Sequence, residues 1–160
     1  MPIKLIITLT IMIFTAIGVV AQNGYKTATE QVKIGGKNIS VSGNIYVNIM
    51  PRIIDDNQKI DCAKNGNLIA PMMIETVDKK KLPSNLTVKQ IWIKNNNIWQ
   101  KILFNREETE SKESAISTVA RACPSDKFDV DKEIIAVVEL KYKGKTYFVR
   151  SSQNKLFITQ

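Results

Sequence analysis

Histidine is absent from all 160 residues. Without imidazole the chain cannot build a serine or cysteine triad, a histidine acid–base pair or most zinc sites. Lysine as a base, or two carboxylates as an acid–base pair, remain chemically available. The expectation is nevertheless a protein that is not an enzyme, with no catalytic residue, no cofactor and no metal. Amphipathic helical patterning is almost missing as well, and no repeat recurs at solenoid or propeller periods. Cysteine is scarce, at two, and neither lies near the start of the chain, so a lipid anchor of the bacterial lipoprotein type has no attachment site.

What is present begins with an address. Lys4 precedes an apolar run from Leu5 to Val20, too short and too close to the start for a permanent span, with small residues at Val19 and Ala21 before a cut. Residues 1–21 therefore read as a signal peptide, with an uncleaved anchor as the alternative, and the mature protein is expected in the periplasm or secreted, with no stable membrane insertion. The formal charge of +8 falls by one with Lys4. A basic exported chain is drawn weakly to anionic lipid or acidic polysaccharide, and export argues against nucleic acid as a partner. Roughly 140 residues remain, the size of one domain. In an oxidising compartment the even count of cysteines favours a Cys62–Cys123 disulfide.

Period-two alternation dominates that domain. Residues 22–37 are polar and read as a flexible lead-in, and the domain proper as 38–160. Ile39, Val41, Ile45, Val47 and Ile49 occupy every second position, with Gly43 marking a bulge or a close crossing of backbones and Pro51 ending the strand. Leu68–Val77 is extended, but Pro71 restricts it to an edge, a strand start or a bulge. Asp78–Asn85 is turn chemistry. Leu86–Ile93 and Ile98–Phe104 form a hairpin across Asn95-Asn96-Asn97. Arg106–Ser117 lacks strand character and reads as helical turns or a crossover between sheets, and Thr118–Cys123 as a short strand. Glu133–Arg150 is the organising hairpin: a turn at Lys143-Gly144 sets Leu140 opposite Tyr147 and Val138 opposite Val149 on one face, with Glu139 opposite Phe148 on the other. Ser151–Lys155 turns the chain and Leu156–Thr159 closes it with one more strand. About seven or eight strands, as a two-sheet antiparallel all-β sandwich, are expected.

The order strand, Cys62, strand, lysine-proline turn, Trp92 strand, polar crossover, Cys123 and the hairpin through Gly144-Lys145-Thr146-Tyr147 resembles immunoglobulin-like β-sandwich domains of secreted bacterial proteins, over residues 38–160. Trp92 lies too far beyond Cys62 for the antibody arrangement, and Arg121 stands where the tyrosine corner would place its tyrosine. A transthyretin-like sandwich is the other architecture of this kind. The resemblance implies binding, adhesion, inhibition or linking.

Candidate ligand contacts are few. Trp92 and Trp99 flank the asparagine turn; Trp92 is expected in the core beside Leu86 and Val88, whereas Trp99, with Tyr46 on the polar face of its strand, is a candidate platform for a sugar ring or a partner. Lys79, Lys80 and Lys81 form a solvated loop tip that would dock an acidic partner. Asp129, Asp131 and Glu133 would share one face of an extended strand and offer oxygen ligands to calcium, although no glycine stands where an EF-hand demands one. Asn38 and Asn85 open glycosylation sequons that matter only in a eukaryote. The function expected is an exported binding or structural module of the cell envelope, acting through loops or a sheet edge on a protein or glycan; the alternative is a secreted hydrolase or hydrolase inhibitor using the acidic segment.

Overall fold

The computed structural model describes residues 23–49, 62, 67–129 and 132–159. Along them run twelve strands: β1 Gln31–Ile34, β2 Lys37–Gly43, β3 Tyr46–Asn48, β4 Asn67–Thr76, β5 Thr87–Asn95, β6 Ile98–Leu103, β7 Glu110–Ser111, β8 Ala115–Ala122, β9 Glu133–Tyr142, β10 Lys145–Arg150, β11 Asn154–Lys155 and β12 Phe157–Thr159. Seven are six residues or longer; the alternating run Ile39–Ile49, expected as one strand, is split into β2 and β3, and the closing strand expected at Leu156–Thr159 is β12. The leader, Pro51, the connection carrying Asp55 and Asp56, and Asp131 lie outside the described residues. Among those residues no helix is long and apolar enough to cross a membrane.

Local chemistry sets the hairpins. Lys143 and Gly144 both adopt positive φ, 47° and 77°, as a two-residue turn between right-twisted strands requires. That turn locks Leu140 to Tyr147, Val138 to Val149 and Glu139 to Phe148, the register read from the sequence. Asn96 and Asn97, with φ of 47° and 65°, turn β5 into β6, so the loop is one residue shorter than the asparagine run. Asn95 belongs to β5 and is wholly buried. Its side chain donates to the Asp129 carbonyl at 2.9 Å and accepts from the Asp129 amide at 2.6 Å, pinning the acidic segment to the sheet.

The strands form two sheets. In one, β4 is central: β2 and β3 share one side of it, β8 lies along the other with β7 beyond, β1 flanks β2, and β12 runs parallel to β3. In the other the order is β10-β9-β5-β6, with β11 also on β9. Ile39, Leu68 and Ile74 from the first sheet and Ile91, Val138 and Leu140 from the second are fully buried and belong to one apolar cluster, the filling of a β-sandwich.

Other expectations are corrected too. Pro71 stands in the middle of a central strand, not at an edge. Its tolerance has a local cause: Gly43 pairs with Met72 and Tyr46 with Ile69, while pairing lapses at Asn44-Ile45, opposite Pro71, so the missing amide falls in that gap. Gly43 marks a close crossing, since a Cβ there would lie 2.3 Å from the Pro71 carbonyl oxygen. The lead-in at 22–37 is no tail where it is described: Gly24–Thr27 form a 3-10 turn, and β1 pairs with β2 across Gly35-Gly36. The crossover at 106–117 holds β7 and the start of β8, braced by Arg121, whose guanidinium meets Glu108 at 2.6 Å through Nη2 and again through Nε. The closing turn at 151–155 holds β11.

Cys62 and Cys123 form the disulfide, with Cα atoms 5.2 Å apart and a separation of 61 positions. It ties the end of β8 to the chain that enters β4. A loop of that length stabilises by about 4 kcal/mol in the chain-entropy account.

Candidate binding surface

Trp92 is not in the sandwich core. Leu86 and Val88 face inward, but the pairing of β5 with β9 shifts at Lys89, and one extra residue there reverses which side chains point in. Ile91 and Ile93 take the inward positions. Trp92 turns to the outer face, between Lys101 on β6 and Val137 on β9. Trp99 lies on the same face opposite Lys94, and Phe148 on β10 opposite Glu139.

The segment just beyond the expected cleavage point lies over these rings. Tyr25 stacks on Trp92 with centroids 4.0 Å apart and planes 2° from parallel, meets Trp99 edge-on at 5.0 Å and Phe148 edge-on at 6.5 Å. Such geometries match the ring quadrupoles and exceed simple area burial by about 0.5–1.5 kcal/mol per pair. Gly24 makes the approach feasible, because a Cβ there would sit 2.7 Å from the Phe148 ring. Arg150 holds Glu30 at 3.2 Å and donates its amide to the Thr29 carbonyl at 2.8 Å, which fastens the segment to β10. Under this cover Val137, though it points outward, is fully buried.

Tyr25 and Trp99 nevertheless stay partly open to solvent. Amino groups ring them: Lys26 lies 5.7 Å from the Tyr25 centroid and Lys101 5.6 Å from that of Trp92, both within cation–π range. The Trp92 indole nitrogen and the Arg150 Nε are buried without a hydrogen-bond partner. The arrangement can stack a flat apolar ring face and attract acidic substituents on the same ligand.

The other expected contacts are not gathered here. Tyr46 lies on the outer face of the opposite sheet, paired with Phe157 and Ile69. Each lysine of the 79–81 turn has an acidic neighbour: Lys79 bonds Glu75, Lys80 lies 3.4 Å from Asp78, and Lys81 lies 2.6 Å from Glu113. The Lys81 hydrogen bond holds the Glu113 carboxyl below its ordinary value, and a hydrogen bond from Thr76 does the same for Asp78. The Glu108 hydrogen bonds raise the Arg121 guanidinium. For calcium, Asp131 lies outside the described residues and Glu133 accepts from the Gln153 amide; among the described residues no three potential metal-ligating side chains converge.

Tyr25 and Phe148 were not singled out by the sequence as ligand contacts. One signal for the inversion at Trp92 was legible: Leu86, Val88, Ile91 and Ile93 are spaced two, three, two, and the three marks the bulge. Compared with known family models and with curated proteins, the chain matches none.

Proposed function

We propose that this is an exported, immunoglobulin-like binding module of the cell envelope, and that it holds acidic glycans on the outer face of the β10-β9-β5-β6 sheet. The reading is of a binder rather than a catalyst, in keeping with a sequence that contains no histidine. The observation that carries it is the cluster of four aromatic rings on a face turned away from the sandwich core. Ring faces stack on the apolar faces of sugars, and Lys26, Lys94 and Lys101 supply the complementary charge. Export is supported by the Cys62–Cys123 disulfide, which persists in oxidising compartments, and by the leader-like start of the sequence.

Affinity electrophoresis in gels cast with an acidic polysaccharide tests the reading. Wild type and the opposite-face variant Tyr46→Ala are retarded equally, and Trp99→Ala loses about tenfold in affinity, the equivalent of ~1.4 kcal/mol. Equal retardation of Trp99→Ala and wild type would overturn it.

A further inference from the structure

A second surface, on the opposite sheet edge from the Tyr25 segment, arises where β6 ends early. Leu103 is its last residue paired with β5, at Gln90; Phe104 then crosses to the other sheet and bridges Ala120, with the Asn105 amide donating to the Val119 carbonyl at 3.1 Å. Thr87 and Val88 are therefore held by β9 on one side, with Lys89 the extra residue of the bulge beside them, and among the described residues no strand pairs with these three on the other side. Beside this bare edge lies a cleft of about 460 Å³ reaching across to β7.

Its composition is two-toned. Leu86 and Ile116 are buried and Val88 and Phe104 half-buried, which gives an apolar floor. Lys89 and Arg106 stand exposed at the rim, and neither forms an ion pair among the described residues. The volume is in the range that accepts a ligand. An unpaired strand edge recognises backbone amides and carbonyls, and the pocket beside it recognises alternate side chains.

We propose that this cleft is a docking site for an extended peptide of a partner protein, which adds as a strand along Thr87–Lys89, places apolar side chains on the Leu86–Ile116 floor and sets carboxylates against Lys89 and Arg106. Three features select that occupant. The bare edge calls for backbone in extended form, the floor for apolar side chains at every second position, and the two cations for acids between them. The site is separate from the aromatic face and stands whether or not that face binds glycan.

The test uses the full mature chain and a fluorescein-labelled hexapeptide alternating glutamate and valine, read by anisotropy. The wild type binds it saturably, salt weakens the binding, and Lys89→Glu with Arg106→Glu weakens it about tenfold or more while the melting temperature holds. Because both side chains are solvent-exposed, their reversal leaves the fold intact; single reversals, each with an intermediate loss, check this. An analogue methylated on alternate backbone nitrogens distinguishes strand addition from simple groove filling, and it binds much more weakly. The proposal is overturned if the peptide does not bind, if the methylated analogue binds equally, if the charge reversals change nothing, or if laurate occupies the cleft while the peptide does not.

Discussion

At the residue scale, two glycines and one tyrosine decide how closely parts of this molecule approach. Gly43 lies against the Pro71 carbonyl, and Gly43→Ala would drive a Cβ into backbone that cannot retreat; a loss of about 1–3 kcal/mol in urea unfolding is expected. Gly24 lets Tyr25 settle on Trp92. Tyr25→Ala removes that lid, so tryptophan emission shifts to the red and acrylamide quenching rises, whereas Tyr46→Ala leaves both unchanged. Neither close approach was readable with its partner from the sequence. Gly43 could be marked as a crossing point, but the partner strand was known only after Pro71 was seen beside it, and nothing local in Asn23–Thr27 announces that Tyr25 folds back over a distant sheet.

At the element scale, turn chemistry and alternation were the most legible parts. The Lys143-Gly144 turn and the pairing of Leu140 with Tyr147 follow from period-two patterning and from a glycine free to adopt positive φ. Gly144→Ala, at φ 77°, is expected to destabilise by about 1 kcal/mol without changing the fold, as followed by denaturant midpoint and circular dichroism. Strand placement within the sheets was less legible. Because proline removes a ladder donor, the sequence restricts Pro71 to an edge, a strand start or a bulge, and only the lapse at Asn44-Ile45 explains how the middle of a central strand accommodates it. Trp92 looked like core because alternation was carried straight through Lys89, where a bulge inverts it. The short pairings of β1, β7 and β11 are set by tertiary contacts rather than by their own few residues. The disulfide belongs to this scale too: Cys62→Ser with Cys123→Ser should lower stability by about 2–4 kcal/mol, seen as a matching fall in melting temperature when wild type is reduced.

At the scale of the whole molecule, charge separates the expected docking point at 79–81, where every lysine has an acidic neighbour, from the two surfaces proposed to bind. The cations beside the aromatic face (Lys26, Lys94, Lys101) and at the cleft rim (Lys89, Arg106) form no ion pair among the described residues, and both proposals use that free charge. The paired acids also predict a pH response. Glu113 and Asp78 have folded-state values below their ordinary ones, so their contribution is present above the unfolded-state value and is lost as pH falls through the lower folded value. Stability should be level from neutral pH down to about 5 and decline modestly below the ordinary glutamate value of 4.5, and Glu113→Gln should remove part of that decline. Arg121 is raised, so its pairing with Glu108 persists through the neutral range and would be lost only under strong alkali.

The chain holds two tryptophans and thus two indole N–H resonances. Titrating the labelled protein with an oligogalacturonate and following those two signals tests the aromatic face most directly. Saturable shifts of the Trp99 and Trp92 indoles, with backbone shifts clustered on β5, β6 and β10, are the predicted result; stationary indoles, or shifts gathered around Tyr46 on the other sheet, would contradict it.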